Sequence, residues 1–248
     1  MGGCTVVPDS SSLYQIETRI RAALQAPLPG GGAHLGLAPR PRRGWRPDHV
    51  PDGAQPAAGL VLLYLRGAAP HLLLTVRSGA LPRHGGQVSL PGGRVEPAES
   101  IPDAALREAA EEVGVEPDRV HVLGRLSPLY VVVSEFVLHP VVGVAAAHPA
   151  FRPRSAEVGR VLEVPLAALL GARGQPRRGF LCRSETLVRA PYFELCGERV
   201  WGATAMILAE LLTVLGAAPA DPWGPEPVQA AGKLEPPAAG AAHMRVAG

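Results

Sequence analysis

The sequence is poor in cysteine and in aromatic side chains. It has three cysteines in 248 residues, and aromatic residues make up 4% of the chain. The cysteines are widely spaced, and no CxxC pair occurs among Cys4, Cys182 and Cys196. An odd and scattered set of this kind supports neither a disulfide framework nor a structural zinc site. We therefore expect the protein to be located in a reducing compartment.

The chain also lacks an excess of charge and a long hydrophobic run. Its 24 basic residues face 22 acidic ones, and a net charge of +2 is too small to indicate a surface that wraps nucleic acid. No uncharged apolar run approaches the ~18 residues that span a bilayer. A basic start followed by an apolar stretch, typical of a secretory signal, is missing too. We expect a cytoplasmic protein that binds neither nucleic acid nor a membrane.

What the chain does contain is enough apolar material for one domain of ordinary size. Hydrophobic residues make up 47% of the sequence. We predict an N-terminal extension over residues 1–57, with one short helix where apolar residues recur at helical spacing from Leu13 to Leu24. Residues 26–56 look irregular. The domain is expected over 58–216, followed by a disordered Ala/Pro/Gly-rich tail over 217–248.

Strands and helices are predicted to alternate irregularly within the domain. Strands are expected over 58–67, 71–77, 87–93, 119–126, 136–146 and 160–164, with a hairpin-like region over 178–200. Helices are expected over 100–113, 165–171 and 201–215, the last of them amphipathic. Because the strands outnumber the helices, this pattern indicates a mixed α/β (α+β) sandwich and not a doubly wound sheet.

The helix over 100–113 has the clearest boundaries. Ser100 is a natural N-cap, and Asp103 three positions later completes a capping-box pattern with negative charge in the first turn. Gly114 supplies the C-terminal stop, since glycine readily adopts the left-handed conformation needed there.

Three carboxylates lie on one face of this helix. Glu108, Glu111 and Glu112 stand at positions i, i+3 and i+4, so their like charges repel unless something neutralises them. One interpretation is an ordinary solvated face. The other is a divalent cation site, because hard oxygen ligands of this kind suit Mg²⁺ or Mn²⁺. The preceding LPGG segment favours the second, since its glycines allow close approach of the backbone.

In the segment that contains this helix, the sequence resembles the Nudix hydrolase family. Gly93, five residues, Glu99, seven residues and then the run REAAEEVGV from Arg107 reproduce the Nudix box at each defined position. The resemblance implies an α/β/α sandwich with a mixed central sheet and a loop–helix–loop catalytic motif. It also implies attack of water on the pyrophosphate of a nucleoside diphosphate derivative, with Arg107 and Glu99 bracing the loop.

The same resemblance implies the catalytic and metal-binding residues. Glu108 and Glu112 would be the principal ligands of Mg²⁺ (or Mn²⁺). Glu111 would be a further ligand or the base that activates water, and the Gly93 carbonyl is an additional candidate ligand. Many Nudix enzymes place another acidic residue near the metals before a late strand. Glu157 is the candidate here, either as a second ligand or base or as an ordinary surface glutamate.

Residues 73–93 resemble the motif of the coenzyme A pyrophosphatase branch of this family. The matches are Leu73, Leu74, Thr75, Arg77, Ser78, Gly86, Pro91, Gly92 and Gly93. Two positions depart from the motif, because its basic residue falls on Pro82, one place before Arg83, and Leu90 replaces a phenylalanine. Arg77, Arg83 and His84 are therefore candidate substrate-binding residues, together with Arg94. Surface salt bridging is the alternative for Arg77 and Arg83.

Further matches extend the resemblance to about residues 58–216. They are Ser134, Phe136 and Pro140, and Trp201, Gly202, Thr204 and Ala205 at the start of the last helix. Coenzyme A would be cut into 3′,5′-ADP and 4′-phosphopantetheine. The alternatives are another nucleotide substrate, such as ADP-ribose or NADH, and a non-catalytic nucleotide-sensing module. Members of such families often dimerise through sheet edges or termini, so the resemblance leaves a homodimer open.

Overall fold

A computed structural model describes residues 13–40, 44–80, 85–171, 174–183, 186–222 and 242–245. Its helices are α1 (Leu13–Leu24), α2 (Gly30–His34), α3 (Ile101–Val113), α4 (Leu166–Leu170) and α5 (Gly202–Val214). Its strands are β1 (Gln55–Arg66), β2 (Ala69–Arg77), β3 (Val88–Ser89), β4 (Gly92–Arg94), β5 (His121–Arg125), β6 (Leu129–Val131), β7 (Phe136–Ala145), β8 (Val158–Pro165), β9 (Gly179–Arg183), β10 (Thr186–Arg189), β11 (Tyr192–Leu195), β12 (Glu198–Trp201) and β13 (Ala242–Arg245).

The central sheet is mixed, as the sequence predicts. Its strands run in the order β3-β2-β1-β7-β5, while β4 pairs with β1, β6 with β7 and β8 with β2. The β1–β7 pair is parallel, and β1 is antiparallel to both β2 and β4. A central strand with a parallel neighbour is usually covered on both faces.

Helices cover both faces of this sheet, which makes the fold an α/β/α sandwich. Residues 57–64 of β1 are all buried. Val61 and Leu63 belong to the hydrophobic cluster that includes α5. Leu60 and Leu62 belong to the opposite cluster, which includes the small residues of α3. The alternation follows from the two-residue period of a strand.

The last helix differs from its prediction as an amphipathic helix. Residues 204–212 of α5 are buried at every position. The physical reason is that α1 and α2 pack on α5, as does β12, so that its outer side is also covered. A helix that is buried all round needs apolar residues on all sides.

The N-terminal segment is part of the core. The α1 helix has the predicted bounds, and Leu13, Ile16 and Ile20 join the cluster around α5. The region over 26–56, expected to be irregular, contains α2. The sequence does not predict this helix, because its five residues, GGGAH, have no apolar periodicity.

Two further segments differ from their predictions. The strand predicted over 87–93 is two short strands, β3 paired with β2 and β4 paired with β1. They separate next to Pro91, which has no backbone N–H to offer to a ladder.

At the C-terminus, part of the predicted disordered tail is a strand, because β13 pairs in parallel with β9. Residues 223–241 and 246–248 of that tail lie outside the described residues. The hairpin-like region over 178–200 forms two hairpins, β9–β10 and β11–β12. No helix in the described part of the chain is long and apolar enough to cross a membrane.

Candidate active site

The α3 helix begins and ends as its sequence predicts. The Ser100 Oγ accepts a hydrogen bond from the Asp103 N–H at 3.3 Å. Gly114 has φ 73°, in the left-handed region, and its N–H donates to the Ala110 carbonyl at 3.0 Å. These caps fix the rotation of the helix, and with it the direction in which its three carboxylates point.

Arg107 connects the loop before α3 to the helix. Its Nε and Nη2 donate to the two carboxylate oxygens of Glu99 at 2.9 and 3.1 Å. The same Nη2 donates to the Arg94 carbonyl at 3.0 Å, and Nη1 donates to Glu108 at 2.9 Å. A forked arginine suits this task because its donors lie in one rigid plane. These hydrogen bonds hold the pKa of Glu99 below its usual value.

Two glycines allow the loop to lie against the helix and the sheet. A Cβ at Gly93 would lie 2.5 Å from the Glu108 carboxylate, so a side chain there would collide with it. A Cβ at Gly92 would lie 2.3 Å from the Ala58 carbonyl oxygen. Both distances are well below van der Waals contact. The Gly93 backbone and the Glu108 carboxylate are therefore direct neighbours.

Glu112 is a buried carboxylate with few hydrogen-bond donors. It is 6% exposed, and the Gly92 N–H donates to it at 3.3 Å. Burial raises the pKa of Glu112 to about 7, and the charges of Glu108 and Glu157 add to this, while the Gly92 N–H and the charge of Arg77 oppose it. The charges of Arg77 and Glu157, which lie far from Glu112 in sequence, therefore act on its carboxylate. A bound cation would favour the ionised form of this carboxylate.

The loop between β7 and β8 positions Glu157. The Arg154 N–H donates to the Glu112 carbonyl at 2.8 Å, and the Ser78 N–H donates to the Glu157 carbonyl at 2.8 Å. At the start of this loop, His148 lies 2.6 Å from the Glu163 carboxylate. The loop is thus attached to α3 and to the chain that follows β2. These attachments explain why Glu157 and Arg77 meet near Glu112.

The structure places the predicted site residues in different environments. Glu111 is 49% exposed and lies 3.5 Å from Arg107, so it faces outward. The Nε of Arg77 is buried without a hydrogen-bond partner among the described residues. Arg83 and His84 lie outside the described residues. Within the described ranges, no three His, Cys, Asp or Glu side chains converge on one point.

The donor set nevertheless fits Mg²⁺ or Mn²⁺. Three carboxylates lie within one turn of α3, and a glycine backbone adjoins one of them. These are the hard oxygen ligands that both ions prefer. Arg107 now neutralises Glu108, so a cation at this carboxylate would compete with the Arg107 Nη1 hydrogen bond. The site is best described as a carboxylate cluster braced by an arginine.

The sequence does not reveal the backbone donor of Glu112 or the attachments of the β7–β8 loop. Apart from the contact between the His148 and Glu163 side chains, these interactions involve main-chain groups, which every residue type carries. The glycine pair Gly92–Gly93 is the one hint, because it indicates close approach of the backbone.

Comparisons with known proteins agree with this architecture. The NUDIX domain model matches residues 53–182, just over half of the chain. An uncharacterized Nudix hydrolase, NudL, of Citrobacter koseri is 40% identical over 168 residues, which cover 65% of this chain and 84% of the relative. The human mitochondrial coenzyme A diphosphatase NUDT8 is 39% identical over 168 residues, covering 65% and 71% of the two chains.

Solved structures include the Nudix hydrolase RenU of M. Smegmatis. It has a TM-score of 0.48 at 20% identity, and the match covers 67% of this chain and 89% of that one.

The domain match and the curated relatives thus define the class of protein as a hydrolase of pyrophosphate linkages. The chain belongs to the Nudix family, as the domain match and the curated relatives show. Nudix enzymes act on small nucleotide derivatives, and in general they depend on a divalent metal ion.

Proposed function

We propose that this chain hydrolyses the pyrophosphate bond of coenzyme A or its derivatives with Mg²⁺ (or Mn²⁺). Two observations together support the substrate. The chain is 39% identical to a human coenzyme A diphosphatase. Arg77, in the segment that resembles the coenzyme A motif, acts electrostatically on Glu112 in the carboxylate cluster. The motif and the catalytic helix therefore meet in one place.

The residues of this chain have distinct roles in the proposal. Glu108, Glu112 and the Gly93 carbonyl would hold the metal, which supplies Lewis acidity and lowers the pKa of the attacking water. Glu111 is exposed to solvent and would take the proton from that water. Glu157 is the second candidate for this base, because its charge reaches Glu112.

The reaction consumes one water molecule. The water oxygen forms a new P–O bond, and the bridging P–O bond of the pyrophosphate breaks, giving 3′,5′-ADP and 4′-phosphopantetheine. Arg107 and Glu99 hold the loop so that the Gly93 backbone stays beside the Glu108 carboxylate. Arg77 would contact the phosphate oxygens through its guanidinium group, whose buried Nε has no hydrogen-bond partner among the described residues. Arg83 and His84 remain further candidates for substrate contact.

A substrate panel on the purified chain tests the proposal. Initial rates would be measured with coenzyme A, ADP-ribose and NADH in the presence of Mg²⁺, and the products would be separated by chromatography. We expect coenzyme A to be hydrolysed fastest and a chelator to abolish the reaction. Far faster turnover of NADH or ADP-ribose would contradict the substrate. Loss of every activity in the folded protein would favour a nucleotide-sensing module. Light scattering on the same sample would test whether the chain forms a homodimer.

A further inference from the structure

A groove beside Glu108 offers room for a part of the substrate outside the pyrophosphate. It has a volume of about 370 Å³, within the usual range for ligand sites. Gln55 and Pro56 at the start of β1 line the groove. Arg94, Val95 and Glu108 line it too. Any ligand whose pyrophosphate lies at Glu108 therefore has this groove next to it.

Arg94 gives this groove a fixed positive charge. Its guanidinium carbon lies 5.0 Å from the centre of the Phe136 ring, a cation–π distance. Its carbonyl accepts the hydrogen bond from Arg107, so the brace that holds the catalytic loop also fixes the Arg94 backbone. Contact with an aromatic face leaves the guanidinium N–H groups at its edge free to donate.

The other cation of the groove is already neutralised. Arg107 shares its donors between Glu99 and Glu108. Arg94 forms no ion pair with a carboxylate in the part of the chain that the structure describes. Glu96 also lines the groove, and it is exposed like Arg94, so water and salt screen both charges. Of the two arginines that line the groove, Arg94 is the one whose donors no carboxylate of the described residues occupies, so an anionic group that enters the groove would meet Arg94.

We propose that Arg94 binds a phosphomonoester that the substrate carries on its ribose, outside the pyrophosphate. This inference rests on the proposed function, because coenzyme A carries such a group at the 3′ position. One ribose separates that phosphate from the pyrophosphate, which matches a groove that adjoins Glu108 directly. Arg94 is then a specificity residue that selects nucleotides with an additional phosphate.

The experiment compares coenzyme A with dephospho-coenzyme A, which lacks the 3′-phosphate and keeps the pyrophosphate. We expect the wild-type kcat/KM to be at least about tenfold higher for coenzyme A, because one charge-assisted contact differs. In Arg94→Gln, the ratio of the two kcat/KM values should fall toward one, mainly through the KM for coenzyme A. Arg94→Lys should restore part of the ratio. Arg119→Gln, at an exposed arginine paired with Glu116, is the matched control.

Three outcomes would overturn the inference. They are a wild-type ratio near one, an unchanged ratio in Arg94→Gln, and an equal loss for both substrates, which would make Arg94 a support of the loop. If the wild-type chain hydrolyses neither compound, the proposed function fails and calorimetry still tests Arg94. In that case, the wild type should bind 3′,5′-ADP at least about tenfold more tightly than 5′-AMP. Arg94→Gln should bind the two nucleotides with equal affinity. Equal affinities in the wild type would contradict the inference.

Discussion

Two buried glutamates, Glu112 on α3 and Glu210 on α5, lie on opposite faces of the central sheet. Glu210 is fully buried, and its carboxylate accepts hydrogen bonds from the Gly30 and Ser127 N–H groups at 3.2 Å. His34 lies 2.9 Å from its other oxygen. Burial by itself would raise the pKa of Glu210, but these partners outweigh it and lower the pKa below the ordinary value.

Glu112 has the opposite balance. Burial raises its pKa, and the like charges of Glu108 and Glu157 add to this. The Gly92 N–H and the charge of Arg77 oppose the shift but do not offset it. A carboxylate with its donors in place holds two segments of the chain together, here the α2 region and α5. A buried carboxylate with too few donors is unfavourable unless a cation binds to it. This difference supports a structural role for Glu210 and the proposed metal-binding role for Glu112.

The largest effect on stability is expected from Glu210→Ala. This change leaves the buried donors around Glu210 without an acceptor, and loss of one member of a buried pair costs about 3–5 kcal/mol. Urea unfolding would measure the loss, with Glu116→Ala at an exposed position as the control. A loss no larger than that of the control would contradict the structural role of Glu210.

Glu108→Gln should remove activity and leave the fold intact. It takes one negative charge from the cluster beside Gly93, and we expect a rate loss of about 10²–10³-fold, similar to the loss of one preorganised electrostatic contact in other active sites. Steady-state rates with coenzyme A would measure this, and circular dichroism would verify the fold. Glu116→Gln should keep the wild-type rate. Equal rates in the two variants would place the metal elsewhere.

Glu112→Gln should stabilise the metal-free protein. A carboxylate whose folded pKa is raised from 4.5 to about 7 lowers stability once the pH exceeds 4.5, because the folded state resists ionisation. At pH 8 we therefore expect a gain of about 1–3 kcal/mol, and near pH 4 none. Urea unfolding in a chelator at both pH values measures it. A loss of stability at pH 8 would contradict the raised pKa.

The pH dependence of Glu210→Gln should run in the other direction. A carboxylate with a lowered folded pKa stabilises the protein above the ordinary value of 4.5 and loses this effect as the pH falls through the folded value. We expect the variant to be less stable than the wild type by about 1–2 kcal/mol at pH 7. The difference should shrink below pH 4.5. A gap that persists undiminished at pH 3 would rule out this linkage.

The sequence predicts α1 and α3 well because their signals are local. Apolar spacing determines α1, and Ser100 and Gly114 determine the ends of α3. The spacing within α3 also places Glu108, Glu111 and Glu112 on one helix, and the family resemblance gives them roles.

The surroundings of the two glutamates are much harder to predict. The donors of Glu210 lie 180 and 83 positions away. The charges of Arg77 and Glu157 reach Glu112 because β2 and β8 are paired in the sheet. No periodicity within α5 shows that other elements cover all of its sides. Contacts of this kind follow from tertiary packing, which local patterns do not contain.

The most direct measurement compares Mg²⁺-dependent hydrolysis of coenzyme A by Glu112→Gln and Glu210→Gln, each corrected for its folded fraction. We predict that Glu112→Gln loses about 10²–10³-fold in rate and needs a higher Mg²⁺ concentration for half-maximal rate, because a metal ligand has lost its charge. Glu210→Gln should stay within a few-fold of the wild type. A wild-type rate and Mg²⁺ dependence in Glu112→Gln would contradict the assignment of Glu112 as the functional carboxylate.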